Sequence, residues 1–183
     1  MQFLRNPGAV RVQCGALCWR LVQNDLKVLL VTSRDTGRWV IPKGWLIDGL
    51  TAQGSAAREA WEEAGVEGMV AEEPAGLYSY DKVVPAALAI PCIVSVFPLQ
   101  VTRLRTRYPE GRQRQRKWFT PAKAARKVAE PGLRLILEQF RPLAAGALPA
   151  AAPPGNAGTE LIVCPGPHKS GGQINAGHGN KTG

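Results

Sequence analysis

Histidine is nearly missing. Only His168 and His178 occur among 183 residues, and both fall in the last sixteen. That end of the chain reads as an unstructured tail, so the folded part is left without an imidazole. A Ser-His-Asp or Cys-His catalyst and a His-ligated metal site are therefore not expected. Catalysis has to draw on carboxylates, Lys, Tyr, Cys or a hard metal ion. Cysteine is sparse too. Cys14 and Cys18 stand four apart in a strand-like run, Cys92 and Cys164 stand alone, and no C-x-x-C pair occurs. They read as buried or free thiols in a reducing cytosol rather than as a zinc set. The first seven residues carry no apolar core of an export signal. The one long uncharged stretch, residues 83–102, is of membrane-helix length, but Pro85, Pro91 and Pro98 interrupt it. It reads as a loop followed by a buried strand. A soluble, cytoplasmic protein with no membrane partner is expected. Acidic residues are outnumbered, 14 against 23 Lys and Arg, for a net charge of +9. That surplus favours polyanionic partners: nucleic acid, nucleotides or polyphosphates.

The composition changes near residue 143. Residues 144–183 hold nine Gly and five Pro, no aromatic residue and only three charges, Glu160, Lys169 and Lys181. Such a segment buries too little apolar surface to offset its ordering entropy. The expected organisation is one domain over residues 1–142 and a flexible tail over 143–183, whose only apolar patch is Leu161, Ile162 and Val163. Within the domain, residues 10–21 read as a strand, with Asn24 and Asp25 turning into a second one over 27–32. Residues 51–64 read as a helix, with Thr51 as N-cap and Gly65 as C-terminal cap. One or two strands over 66–80, broken near Pro74, precede a long strand over 90–105 and a short one over 114–119. Thr120 and Pro121 open a helix to about residue 129. Another begins at Pro131, with Leu133, Ile136, Leu137 and Phe140 on its core face. The class is α/β.

The helix over 51–64 carries the chemistry. Glu59, Glu62 and Glu63 stand at i, i+3 and i+4, so three carboxylates share one face, and Glu67 follows closely. Ala57, Ala60, Trp61 and Ala64 form the expected apolar stripe. Crowding like charges costs stability, and Arg58 can relieve only Glu62. Two readings stay open from the helix alone: a solvated acidic face, or a site for a divalent cation. Oxygen-only ligands would select Mg²⁺, Mn²⁺ or Ca²⁺ over zinc.

The context of that helix is Gly44, five residues, Leu50, seven residues, then Arg58, Glu59, Ala60, any residue, Glu62, Glu63, any residue, Gly65 and Val66. This resembles the Nudix box, G-x5-E-x7-R-E-U-x-E-E-x-G-U with U apolar. One position departs: Leu50 stands where the pattern has its first Glu, which bears on rate and metal geometry more than on fold. Ser33, Arg34, Arg38, Trp39, Pro42 and Lys43 before the box, and Arg114, Gln115, Arg116, Lys117, Trp118 and Phe119 after it, extend the resemblance. They point to the branch that hydrolyses diphosphoinositol polyphosphates and diadenosine polyphosphates. The resemblance covers roughly residues 10–140 and implies an α/β/α sandwich around a mixed β-sheet.

The resemblance further implies Mg²⁺-dependent hydrolysis of a phosphoanhydride by in-line attack of water, with Mn²⁺ as the other cation. Glu59, Glu62 and Glu63 would hold the metal, and Arg58 would orient a glutamate. One of the three glutamates, or Asp81 or Glu110 from a loop, would take the proton. Gly44 would let the backbone approach metal or phosphate. Arg34, Arg38 and Lys43 flank the box as substrate contacts, joined by Arg114 and Arg116. Residues 103–117 hold seven positive charges: Arg103, Arg105, Arg107, Arg112, Arg114, Arg116 and Lys117. They read as a polyphosphate clamp, a solvated surface or a nucleic-acid face. The expected partner is a small-molecule polyphosphate. The alternatives are a pyrophosphohydrolase of RNA 5′ ends and a weakly catalytic ligand-binding module with the same fold.

Overall fold

The computed structural model describes residues 10–84 and 88–142. His168, His178, Cys164, Pro85 and the segments 1–9 and 143–183 lie outside the described residues. Eight strands form one mixed sheet: β1 (Arg11–Val22), β2 (Asp25–Thr32), β3 (Trp39–Val40), β4 (Lys43–Trp45), β5 (Val66–Val70), β6 (Gly76–Val84), β7 (Leu88–Leu104) and β8 (Arg116–Phe119). Three helices complete the fold: α1 (Ala52–Ala64), α2 (Pro121–Ala125) and α3 (Pro131–Gln139).

β1 is the central strand. It runs antiparallel to β2 and to β4 and parallel to β7, which makes the sheet mixed. Its alternate residues serve two cores. Cys14, Ala16 and Cys18 face α1 together with Phe97 and Leu99. Leu17 and Trp19 face the α2–α3 side with Val28, Leu30, Tyr78, Val94, Leu133 and Leu137. A strand covered on both faces reads as an almost continuous apolar run, as β1 does. The α/β/α layering follows from this division.

Several boundaries differ from the sequence reading. The β1–β2 turn is Gln23–Asn24, because Val22 pairs with Asp25. Both turn residues adopt positive φ, 50° and 65°, the backbone of a two-residue hairpin whose twist matches its strands. β6 continues to Val84, so Val83 and Val84 belong to a strand rather than a loop. β7 is long enough to pair with β6 along its first half and with β5 along its second. Arg114 lies in the loop before β8, not in the strand. α2 ends at Ala125, four residues short of the expected end. No helix among the described residues is long and apolar enough to cross a membrane.

Candidate active site

α1 is fixed at both ends. The Thr51 hydroxyl accepts from the Gly54 amide at 3.1 Å. Gly65 takes the left-handed conformation, φ 64°, and its amide closes on the Ala60 and Trp61 carbonyls. Small residues Ala56, Ala57, Ala60 and Ala64 are buried and bring the helix close to the sheet. Trp61, expected on that stripe, is only partly buried. Its bulk does not fit where alanines set the spacing.

The opposite face presents the carboxylates. Glu59, Glu62 and Glu63 line one cavity of about 250 Å³ together with Glu110, Arg34, Lys43, Gly44 and Arg114. β4 carries Gly44 against β1, with Gly44 opposite Cys14. A β-carbon at residue 44 would lie 2.0 Å from Oε1 of Glu59, so the carboxylate occupies the space that glycine leaves. The Lys43 amide donates to Oε2 of Glu63 at 3.2 Å. Its Nζ sits 4.9 Å from the centre of the Tyr80 ring. Arg58 Nε donates to Oε1 of Glu62 at 2.6 Å.

Arg114 is the hub. It is 7% exposed. Nε donates to Oε2 of Glu110 at 2.5 Å, Nη1 to the Thr32 carbonyl at 2.9 Å, and Nη2 to Oε1 of Glu63. The Glu110 amide in turn donates to the Glu62 carbonyl at 3.0 Å, which pins the loop to the helix. Arg114 lies in the cavity as expected, but its donors are engaged by the protein. Arg116 lies outside the cavity lining. Its Nη1 caps the Ala64 carbonyl at the end of α1, and its guanidinium covers the Tyr108 ring at 4.7 Å. Its place in the fold is structural, which corrects the substrate-contact expectation.

Two arginines of the basic run are engaged within the protein. β7 ends at Leu104, and Arg103 and Arg105 both turn to Glu67, at 3.9 and 2.8 Å. Glu67 is thereby removed from the acidic cluster. Arg34 remains at the cavity, half-exposed and 3.4 Å from Glu110. Arg38 lies in a neighbouring cavity, 3.6 Å from Glu130. Of the two loop acids, Glu110 lines the glutamate cavity and Asp81 lines the neighbour. Leu50 precedes the helix and is 46% exposed, away from the carboxylates' cavity lining.

Burial pushes the Glu63 carboxyl up to about 7, opposed by Arg114 and reinforced by Glu59. Burial and then the Glu62 and Glu110 charges raise Glu59. Burial lowers Lys43, against the pull of Glu63. Burial likewise raises the free thiols Cys14, Cys18 and Cys92, as buried cysteines behave.

The donor set suits a hard divalent cation. It is oxygen-only, and the burial and mutual repulsion that raise Glu59 and Glu63 are what such a charge relieves. Glu59 has no hydrogen-bond partner among the described residues. Glu63 and Glu110 are engaged by Arg114, and no three acidic, Cys or His side chains among the described residues already converge to hold a metal.

Sequence reasoning missed Gln13, Lys82 and Glu130. Gln13 is fully buried in β1 and accepts from the Tyr80 hydroxyl at 2.7 Å. A lone amide within an apolar strand was its available signal. Glu130 was visible only as the residue before a helix-opening proline.

Comparison with known proteins bears on this arrangement. The family model for the NUDIX domain matches residues 13–140. The chain is 34% identical over 120 residues to the mitochondrial Nudix hydrolase 12 of Arabidopsis thaliana. That match covers 64% of this chain and 59% of the plant protein, so the chain spans about three fifths of that relative. Over 63 residues it is 35% identical to diphosphoinositol polyphosphate phosphohydrolase 3-alpha of Mus musculus, covering 34% and 38% of the two chains. The crystal structure of a C. elegans Ap4A hydrolase superposes with a TM-score of 0.52 at 17% identity, over 71% of this chain and 95% of that one. At that identity the likeness concerns the fold.

Proposed function

The chain belongs to the Nudix family, and from that premise we propose that it hydrolyses a phosphoanhydride bond in an organic diphosphate or polyphosphate with the help of Mg²⁺ or Mn²⁺. The observation that carries the reading is the gathering of carboxylates and basic groups in one cavity. Glu59, Glu62, Glu63 and Glu110 line it together with Arg34 and Lys43, and the Gly44 backbone is pressed against Glu59.

Glu59, Glu62 and Glu63 would hold the cation, which when bound supplies charge neutralisation and a more acidic water. The chain's own groups do the positioning on which phosphoryl transfer depends. Arg58 fixes Glu62, and Arg114 fixes Glu63 and Glu110. Arg34 and Lys43 offer positive charge to the phosphates. Glu110 is the loop acid able to accept a proton from water in this cavity, whereas Asp81 faces its neighbour. Diphosphoinositol polyphosphates and diadenosine polyphosphates are the two substrate classes. The catalytic unit is assigned to residues 1–142, with 143–183 as an appendage. The test is release of phosphate or nucleotide with and without Mg²⁺, beside Glu62→Gln. Turnover should require the cation and fall by about 10²-fold or more in the variant. Equal turnover by the variant removes the carboxylate helix from the chemistry.

A further inference from the structure

One end of the sheet is left open on the α2–α3 side. Across β5, β7 and β1, Met69, Gln100 and Trp19 stand in one row, because Met69 and Trp19 both pair with Gln100. Directly paired residues point to the same face of a sheet. Trp19 is buried and meets Phe140 edge-on, ring centres 6.2 Å apart. Met69, at the other end of the row, stays 51% exposed. These residues line a mainly apolar groove of about 250 Å³ together with Pro98, Phe140 and Pro142. None of its lining residues belongs to the glutamate cavity. The chain is steered into it. α3 stops at Gln139, Phe140 is extended (φ −60°, ψ 121°), and Arg141 Nη1 donates to the Glu138 and Phe140 carbonyls at 3.0 and 2.8 Å.

The sequence beyond Pro142 matches this surface in chemistry. Residues 142–155 include no polar side chain, and their two leucines are Leu143 and Leu148. A segment of that kind gains by leaving water for apolar surface. A tether that starts in the groove lining also holds it there at a high effective concentration. Fully extended, residues 143–148 span about 16 Å, more than the roughly 10 Å across a row of three strands. We propose that residues 143–148 occupy this groove, with Leu143 and Leu148 packed along the row from Trp19 to Met69. The chain beyond α3 is then a strap over the open end of the sheet. Leu161, Ile162 and Val163 would have to close a loop of 18 residues to reach the same place, at a greater entropic cost. The inference goes beyond the phosphoanhydride reading and does not depend on it.

Nuclear magnetic resonance on the full chain tests the contact, with ¹³C-labelled methionine methyls and protonated leucine methyls in a deuterated background. The sequence holds two methionines, Met1 and Met69, so the Met69 signal is the one lost in Met69→Leu. It should show cross-peaks to leucine methyls that vanish in Leu143→Ala/Leu148→Ala. That double variant should also melt about 2–6 °C lower, the scale of losing partly buried leucine side chains in a chain of this size. Met69→Ala should lower the melting temperature too, and the triple variant should lose less than the sum. Met69 cross-peaks indifferent to the leucine substitutions overturn the proposal, and so does strict additivity. Cross-peaks that vanish only in Leu161→Ala overturn it in favour of the later segment. Cross-peaks that fade on about tenfold dilution overturn it in favour of a second copy seated in the groove.

Discussion

Gly44→Ala separates positioning from stability at the candidate site. The added β-carbon would stand 2.0 Å from Oε1 of Glu59, 2.2 Å from Cδ and 2.6 Å from Oε2. An ordinary carbon–oxygen contact is about 3.3 Å, so the carboxylate has to withdraw by roughly 1.3 Å. The obstructing atoms are the far end of a flexible side chain, not backbone, so the chain can yield. The backbone at residue 44 is outside the left-handed region and accepts alanine. Alanine removes some freedom from the unfolded chain, worth about 0.4–1 kcal/mol. An off-rotamer Glu59 costs about 0.5–1.5 kcal/mol. These nearly cancel, so the melting temperature should move by no more than a few degrees.

Function should not be spared. A displacement of about 1 Å in a positioned group costs on the order of 10²-fold, or about 2.7 kcal/mol of barrier. The assay pairs kcat/KM for anhydride hydrolysis with a calorimetric Mn²⁺ titration and a thermal melt on the same preparation. A folded variant that keeps both full turnover and full Mn²⁺ affinity refutes the argument that Glu59 needs its place over Gly44.

Two further outcomes follow from Arg114 and Glu63. Arg114→Ala should destabilise the protein by about 3 kcal/mol in urea unfolding at pH 8, because buried Glu63 then lacks its counter-charge. Added Mg²⁺ should recover more stability in that variant than in the unaltered protein; equal recovery would detach Arg114 from the cation site. Glu63 is raised to about 7 in the folded state against 4.5 ordinarily, so its native form holds a proton that the unfolded chain gives up. Its stabilising contribution is complete below pH 4.5 and is lost as pH climbs towards and through 7. In EDTA, the melting temperature of Glu63→Gln relative to the unaltered chain should therefore rise between pH 4.5 and 7 and level off above about 8. A constant difference across that range contradicts the burial argument.

What the sequence disclosed was local in origin. Thr51 and Gly65 cap α1 where their residue types demand it, and the spacing of Glu59, Glu62 and Glu63 fixes their common face before any tertiary contact. The two-sided burial of β1 is written in its nearly continuous apolar run from Cys14 to Trp19. The rest depends on chain that returns from far away. Arg114 meets Glu63 across 51 positions and Thr32 across 82, and no short-range pattern announces either contact. Arg103 and Arg105 share a partner, Glu67 on the adjacent strand, that their spacing in the sequence does not reveal. Spacing tells which side chains travel together, but the sheet order decides what they meet.

This distinction changes the meaning of the +9 charge. A clamp would gather positive side chains around the reacting phosphates, but four of the seven basic side chains of that run are engaged within the protein. Arg103 and Arg105 neutralise Glu67, Arg116 closes the end of α1, and Arg114 holds acids of the site itself. The cavities are close to balanced, four cations against five acids in one and three against three in the other. The positive surplus therefore acts from outside them, as a long-range field on anionic substrates that is screened beyond about 8–10 Å at physiological salt. Such a field raises association rates for any polyphosphate, the more so the more charge it carries. Raising ionic strength should then lower kcat/KM for every polyphosphate substrate, most steeply for the most highly charged, and a salt-independent kcat/KM would contradict this account.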